Sequence, residues 1–135
     1  MKKFFSTKYS ETGFTIAMLL LRVGLGLMMI PHGYDKLVHF STYKNHFLNF
    51  LGIGSTLSLA LVIFSEFFCS VFVAMGLFTR LGSLVLVIST GVALMKRHSG
   101  DIFGKGELVG LYFTGFLVLL LVGPGKASLD KLLGK

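Results

Sequence analysis

Long apolar blocks alternate with short polar stretches along this chain, and each block is close in length to a membrane-spanning helix. A helix crosses the hydrocarbon core of a bilayer with about 20 apolar residues. The third and fourth blocks are shorter and need neighbouring polar residues to complete their ends. The pattern predicts an all-α fold, an integral membrane four-helix bundle with spans at 14–31, 55–78, 81–95 and 108–122.

The polar stretches predict the connections between these helices. Only Thr79 and Arg80 separate the second and third blocks, which predicts a tight antiparallel hairpin. Residues 52–54 (Gly-Ile-Gly) predict a turn before the second helix, and residues 123–125 (Gly-Pro-Gly) predict the end of the fourth. A polar, glycine-containing stretch at 96–107 joins the third helix to the fourth.

The stretch 32–51 differs from the other connections because its apolar residues recur at helical spacing. Its polar residues fall on another face of the same helix. Such a helix suits the plane of the lipid headgroups, so we predict an amphipathic interfacial helix between the first two spans. Its apolar positions are Leu37, Phe40, Phe47, Leu48 and Leu51, and its polar positions are Asp35, His39, Tyr43 and His46.

The composition agrees with a chain that is solvated largely by lipid. Of its 135 residues, 53% are hydrophobic and only 14% are charged, and the mean hydropathy is +0.80. Soluble domains carry about 25% charged residues, so the deficit lies in the charges. Four spans with short connections account for the whole length. We therefore expect a single membrane domain over residues 1–135, with no appended catalytic domain.

The basic residues outside the spans indicate the topology. Lys2 and Lys3 precede the first block as in a signal peptide, but Arg22 interrupts that block and no Ala-x-Ala-like cleavage site follows, so we expect a retained helix. The positive-inside rule then favours both termini in the cytoplasm. The cytoplasmic side would carry Lys2, Lys3, Lys8, Arg80, Lys126, Lys131 and Lys135, against Lys36, Lys44, Lys96, Arg97 and Lys105 opposite.

Net charge and cysteine content exclude several classes of function. The net charge is +7, but the basic residues fall between apolar blocks rather than in a patch interleaved with aromatic residues. This placement argues against a nucleic-acid partner and for contact with the lipid bilayer. The one cysteine, Cys69, excludes an intrachain disulfide, a CxxC redox pair and a thiolate zinc site. We interpret Cys69 as a small buried hydrophobic residue.

Two charged residues lie inside the predicted spans, where a charge is costly unless it is paired or hydrated. Arg22 falls about halfway along the first span and Glu66 about halfway along the second. Because the midpoints of antiparallel neighbours lie at the same depth, we expect these side chains to meet. The pair either fixes the register of the two helices or lines a polar cavity for a small ligand or a proton. Orientation toward lipid is a third alternative.

Alternating helix directions bring a second polar group to the outer end of the bundle. These residues either complement the helix dipoles or form the mouth of a ligand site. A metal site is not predicted, because three of the histidines recur every seven residues, a helical rise of about 10.5 Å, and no span holds a histidine for haem. The outer group comprises His32, Asp35, Lys36, Arg97, His98, Asp101 and Glu107.

Several short motifs occur in order along the chain. They are residues 21–26 (LRVGLG), residues 31–37 (PHGYDKL), Glu66, Gly76 with Thr79 and Arg80, residues 106–107 (GE) and residues 123–130 (GPGKASLD). Together they resemble the DoxX family of small bacterial membrane proteins, from about residue 14 to residue 130. The HGxxKL run and the GPGxxSLD ending are specific in combination. The chain departs from the family in having Lys105 within its glycine pair and no tryptophan.

The resemblance implies a four-helix protein of the bacterial cytoplasmic (inner) membrane that is associated with redox systems. The family takes its name from a subunit of a terminal quinol oxidase. Relatives are linked to thiosulfate:quinone oxidoreduction and to thiol and superoxide detoxification. The resemblance implies a set of ligand-binding candidates, to which the outer group adds His98. The candidates are Arg22, His32, Lys36, Glu66, Arg80, His98 and Glu107.

Two functions from different classes follow. In the first, the protein is an accessory or quinone-proximal subunit of a membrane oxidoreductase that binds a quinone or a small anion near Arg22, Glu66 and His32. The sequence indicates no haem, flavin or iron-sulfur ligands, so the electrons belong to a partner subunit or to the quinone. In the second, it is a noncatalytic scaffold that forms homo-oligomers or recruits partner proteins. A transporter fits less well, because four unbroken helices offer little for alternating access.

Overall fold

The computed structural model describes residues 2–45, 52–97, 103–104 and 106–134, and its regular structure is helical, as predicted. The helix at Ser55–Met75 is continuous, and its residues Phe64–Cys69 form a π-helical turn between two α-helical parts. A 3-10 turn at Lys2–Phe5 precedes the helices. The helices are α1 (Glu11–Val38), α2 (Phe40–Tyr43), α3 (Ser55–Met75), α4 (Thr79–Arg97), α5 (Glu107–Val122) and α6 (Leu129–Leu132).

The four long helices pack as a bundle. α1 packs along α3, α4 packs along α5, and α3 and α4 form a hairpin. α1 and α3 are long and apolar enough to cross a membrane, whereas the apolar parts of α4 and α5 are shorter. Many large apolar side chains face outward on all four helices, as expected for helices solvated by lipid. The core contains Met18, Met29, Cys69, Val73, Leu86, Tyr112, Phe116 and Leu119.

The first helix is longer than the sequence pattern predicts. α1 continues through Pro31 to Val38, so the predicted end at Pro31 is wrong by about two turns. Proline in a helix interior removes one backbone hydrogen bond, and packing against α3 offsets this loss. Gly33 is buried there, and a Cβ atom built on it would lie 2.5 Å from the backbone nitrogen of Phe67. α3, α4 and α5 begin and end within three residues of the predicted blocks.

The extension of α1 also corrects the predicted interfacial helix at 32–51. The first part of that stretch forms the last turns of α1, and in the described chain only α2 is a separate helix. Residues 46–51 lie outside the described residues. Ser55 Oγ donates a hydrogen bond to the Lys44 carbonyl (2.6 Å), which ties the connection to the start of α3. The predicted glycine turn before α3 is confirmed, because Gly52 and Gly54 have φ of 77° and 99°.

The hairpin between α3 and α4 is confirmed, but its turn lies before Thr79. Gly76 ends α3 in the left-handed conformation (φ 76°), and Leu77 N donates to the Phe72 carbonyl (2.8 Å). This hydrogen bond is the six-to-one contact of a Schellman ending. Thr79 starts α4.

The segment after α5 folds back onto one end of the bundle, which we call the lower end. Gly123 ends α5 as predicted, with φ of 95°. Lys126 Nζ lies 3.1 Å from Glu11 Oε2 at the start of α1, and Asp130 accepts a hydrogen bond from Thr79 N (2.8 Å) at the start of α4. The segments near the two termini therefore share the lower end.

Candidate functional site

An ion pair between α1 and α3 forms the centre of the candidate site. Lys36 Nζ lies 2.7 Å from Glu66 Oε2, and the two side chains are 15% and 14% exposed. The Lys36 ammonium also donates weakly to the carbonyl of His32 one turn earlier (3.4 Å). Because both groups are mostly removed from solvent, their attraction is screened less than that of a surface ion pair, and loss of either partner leaves a poorly solvated charge.

The π-helical turn of α3 places Glu66 in this position. Residues Phe64–Cys69 form the π turn, which widens the helix and changes the direction of the side chains that follow. Gly33 of α1 packs directly on this turn, and a Cβ there would lie 2.7 Å from the carbonyl carbon of Glu66. The close approach of the two backbones leaves Lys36, almost one turn after Gly33, within reach of the carboxylate.

Two ring side chains accompany the ion pair. The rings of His32 and Tyr112 meet edge to face, with their centroids 5.7 Å apart. Tyr112 on α5 is 7% exposed and lies in the electrostatic field of Glu66. Lys36, Glu66, His32 and Tyr112 thus come from three helices, and we call these four residues the polar layer.

The polar layer lies well inside the bundle. Glu66 precedes the end of α3 by about ten residues, a helical rise of roughly 15 Å, and it lies about halfway along Ser55–Met75. The hydroxyl of Ser65 donates to that of Ser89 (2.9 Å), which links α3 to α4 beside this level. Charged groups at such a position are costly unless they are paired or hydrated.

Arg22 does not pair with Glu66, so that prediction is wrong. The guanidinium donates through Nη1 to the carbonyl of Pro124 and through Nη2 to that of Ala127, both at 2.8 Å. Arg22 is only 2% exposed, and the nearby carboxylate of Asp130 acts on it electrostatically. The arginine therefore anchors the C-terminal segment to α1.

The register of α1 and α3 explains this difference. A Cβ built on Gly76 at the end of α3 would lie 3.0 Å from Cζ of Arg22, whereas Gly33 lies against Glu66. The two charged residues therefore belong to layers that are separated by about 15 Å of helical rise. The prediction assumed that the midpoints of the two predicted helices lie side by side. Because α1 continues past Pro31, Lys36 rather than Arg22 lies beside Glu66.

The other predicted residues lie apart from the polar layer or outside the described chain. Arg80 is exposed at the lower end, where it donates to the Val122 carbonyl (3.4 Å). Glu107 is exposed in the first turn of α5. His98 and Asp101 are outside the described residues, as is the side chain of Arg97.

Asp35 also has partners of its own. Its carboxylate lies 3.2 Å from Nδ1 of His39 and accepts a hydrogen bond from the Tyr43 hydroxyl (3.2 Å). These contacts direct Asp35 away from the pair that Lys36 and Glu66 form. The described part of the predicted outer group is therefore dispersed: His32 and Lys36 join the polar layer, Asp35 joins this exposed cluster, and Glu107 lies apart from both.

Sequence reasoning missed two residues that matter to these arrangements. Tyr112 entered no prediction, although a lone tyrosine in an apolar helix is a weak signal for a polar neighbour. Asp130 was only part of a motif, yet its carboxylate accepts hydrogen bonds from Phe78 N (2.7 Å) and Thr79 N (2.8 Å). The C-terminal motif thus caps α4.

The chemistry of the polar layer suits recognition of a small polar group. It offers an ammonium donor, a carboxylate acceptor and an imidazole that can serve as either. Within the described residues, no three His, Cys, Asp or Glu side chains come together as a metal site would require. The arrangement can bind and orient a hydrogen-bonding ligand or exchange a proton with it.

The model of the DoxX family matches residues 17–99, more than half of the chain. The chain belongs to the DoxX family. Three of the four polar-layer residues, Lys36, Glu66 and His32, lie inside the region that this DoxX model matches, as does Arg22. Tyr112 lies beyond it.

Two inner membrane proteins of Escherichia coli (strain K12) are similar to this DoxX chain. Inner membrane protein YphA is 23% identical over 125 residues, which cover 86% of this chain and 89% of YphA. Inner membrane protein YqjF is 27% identical over 124 residues, which cover 89% of this chain and 94% of YqjF. No solved structure matches. With these relatives and its apolar helices, this DoxX protein is an inner-membrane protein.

Proposed function

We propose that this protein binds the headgroup of a small ligand, foremost a quinone, at the polar layer. In this role it is an accessory subunit of a respiratory or thiol redox system. The observation that carries the proposal is the ion pair between Lys36 on α1 and Glu66 on the π turn of α3, with Nζ and Oε2 2.7 Å apart. Turns of this kind occur frequently at functional sites, and charged pairs within membrane helices usually serve a function.

The remaining accessibility of the pair favours binding over a purely architectural role. Lys36 and Glu66 keep 15% and 14% of their side-chain surface exposed. Arg22, whose role is to anchor the C-terminal segment, is 2% exposed. A ligand can therefore reach the pair without unpacking the core. A quinone carbonyl would accept a hydrogen bond from the ammonium, and a quinol hydroxyl would donate to the carboxylate.

The rings beside the pair suit the flat part of such a ligand. His32 and Tyr112 come from α1 and α5 and meet edge to face. Either ring offers an apolar surface, and the imidazole offers a second hydrogen-bonding group. The chain supplies recognition in this proposal, whereas the electrons belong to the quinone and to an oxidoreductase subunit that binds beside this one.

The proposal includes a placement in the membrane. The four long helices span the bilayer as one domain over residues 1–135, and both termini lie in the cytoplasm. The shared lower end supports the even number of spans, because Glu11 and Lys126 meet there. Polar residues at their ends bring the two shorter apolar helices to the length that a membrane span needs.

A binding titration tests the proposal. The purified protein in detergent is titrated with a short-chain ubiquinone or menaquinone analogue. Lys36→Met, Glu66→Gln and His32→Ala should each weaken binding by about tenfold, since one charge-assisted hydrogen bond contributes about 1.5 to 3 kcal/mol. The matched controls Lys8→Met and Asp35→Asn alter exposed residues outside the polar layer and should bind like the parent protein.

The same titration separates this function from the scaffold alternative. If the parent protein binds neither analogue, or if the three variants bind as tightly as the parent, the ligand proposal is wrong. Retained oligomerisation or partner capture by the Glu66→Gln variant would then favour the noncatalytic scaffold. Thermal unfolding of each variant in the same detergent shows whether lost binding reflects lost structure.

A further inference from the structure

A second polar surface lies at the lower end, away from the polar layer. A cleft there separates the start of α1 from the segment that follows α5. Its walls carry two lysines, one glutamate, two hydroxyl groups and two aromatic rings. The lining includes Tyr9, Phe14, Thr15, Pro124, Lys126 and Lys131.

The floor of this cleft, which we call the headgroup cleft, is fixed by contacts between α1 and the segment after α5. The Arg22 guanidinium binds the carbonyls of Pro124 and Ala127 at 2.8 Å each. Gly125 has φ of 82°, and a Cβ built on it would lie 3.2 Å from Cβ of Met18. The loop that carries Lys126 is thus held against α1, so the cleft exists before any ligand binds.

The charges of the headgroup cleft favour an anion. Lys126 and Lys131 contribute two positive charges, and Glu11 contributes one negative charge. The Lys126–Glu11 pair has an N–O distance of 3.1 Å with side chains 63% and 86% exposed. A pair this exposed contributes little to stability, so a stronger anion can take the place of Glu11 on Lys126.

The aromatic residues and the apolar surface above them favour a lipid over a free anion. The rings of Tyr9 and Phe14 lie 5.6 Å apart and are exposed at the rim of the cleft. Aromatic residues concentrate at the headgroup level of a bilayer. Along α1, Ala17, Leu21 and Met28 follow Phe14 on the same face of the helix, and Met28 is exposed, so this face offers an apolar surface for acyl chains.

We propose that the headgroup cleft binds one anionic phospholipid. The phosphodiester lies between the ammonium groups of Lys126 and Lys131, with the hydroxyls of Tyr9 and Thr15 as further donors. The acyl chains follow the exposed apolar side of α1. This binding would be independent of a ligand at the polar layer, and it would tie the lower end of the protein to anionic regions of the membrane.

Native mass spectrometry in a mild detergent tests this assignment with phosphatidylglycerol and phosphatidylcholine as probes. The parent protein should retain phosphatidylglycerol in preference to phosphatidylcholine. Lys126→Gln and Lys131→Gln should each weaken phosphatidylglycerol binding by about fivefold, since a lysine at an anionic headgroup contributes about 1 kcal/mol. Glu11→Gln should strengthen binding, because it frees Lys126. Lys8→Gln makes the same change in net charge outside the cleft and should leave binding unchanged.

Three outcomes would overturn the assignment. Equal losses in Lys8→Gln and in the two cleft variants would mean that the overall charge attracts the lipid. Weaker or unchanged binding in Glu11→Gln would mean that Lys126 does not contact the headgroup. Displacement of phosphatidylglycerol by inorganic phosphate at equal concentration would mean that the cleft binds free anions. All four altered side chains are exposed, so the variants retain the fold.

Discussion

Lys36 Nζ lies 2.7 Å from Glu66 Oε2, and this contact sets the pairing of α1 and α3 at the centre of the bundle. Gly33 makes the contact geometrically accessible, because its lack of a side chain lets the two backbones touch at the π turn. Arg22 lies in a different layer, where two carbonyls of the C-terminal segment accept hydrogen bonds from its Nη1 and Nη2. Arg22 therefore serves the architecture, whereas Lys36 belongs to the site that we propose binds a ligand.

Energetic coupling is predicted between Lys36 and Glu66. Either single change, Lys36→Met or Glu66→Leu, leaves a mostly buried charge without its partner and should lower the free energy of unfolding by about 2 kcal/mol or more. The double variant should recover much of that loss. The free energies of unfolding of the parent, the two single variants and the double variant, measured in mixed micelles, form a double-mutant cycle that gives the coupling. The exposed pair of Lys126 and Glu11 is the control, and its coupling should stay below about 1 kcal/mol. Purely additive losses for Lys36 and Glu66 would show that the ion pair does not form.

Gly33→Ala should destabilise the protein by about 1 to 3 kcal/mol or more. The added Cβ would lie 2.5 Å from Phe67 N and would push α1 off the π turn. Gly24→Ala is the matched control on the same helix, since a Cβ there meets nothing within 4 Å. That control should be neutral or stabilise by up to about 1 kcal/mol, because alanine favours the helix over glycine. Thermal unfolding of both variants in one detergent compares them, and equal behaviour would contradict the close packing.

Arg22→Met should lower the free energy of unfolding by about 3 kcal/mol, because the carbonyls of Pro124 and Ala127 lose the guanidinium that binds them. Arg22→Lys should recover little, since an ammonium cannot reach both carbonyls as the planar guanidinium does. When Arg22→Met is combined with Glu66→Leu, the two losses in free energy of unfolding should add to within about 0.5 kcal/mol, as for residues without shared partners. Strong coupling in that double variant would restore the pairing that the sequence pattern suggested.

Asp130→Ala should destabilise the start of α4 by about 1 to 2 kcal/mol. The carboxylate accepts hydrogen bonds from Phe78 N and Thr79 N, and alanine leaves both donors without this cap. Asp35→Ala removes an exposed carboxylate from α1 and should cost less than about 0.5 kcal/mol. Hydrogen exchange at the Phe78 and Thr79 amides provides a local readout. Unchanged protection of these amides in Asp130→Ala would exclude a capping role.

A reporter fused after Lys135 should give a cytoplasmic signal, because the basic residues are more numerous on that side of the predicted topology. Paired fusions of an alkaline phosphatase and a fluorescent protein distinguish the two compartments. A periplasmic signal would reverse the orientation and place the headgroup cleft in the outer leaflet.

The sequence alone determined the helical class, the approximate extent of α3, α4 and α5, and the glycine turns before α3 at residues 52–54 and after α5 at residue 123. These features depend on local composition, because apolar length fixes a membrane helix and positive φ favours glycine. The same pattern drew attention to Arg22 and Glu66, since charges are rare in apolar helices and each must find a partner. Lys36 was singled out separately, as a member of the predicted outer group.

Only the tertiary structure decided which partner each charge found. The pairing depends on the register of α1 against α3, which the backbone contact at Gly33 and the π turn set. A shift of about 15 Å along a helix changes neither hydrophobic period nor composition, so the sequence pattern carried no signal for it. The return of residues 123–130 beneath Arg22 was equally hidden, because those contacts join atoms more than 100 residues apart in the chain.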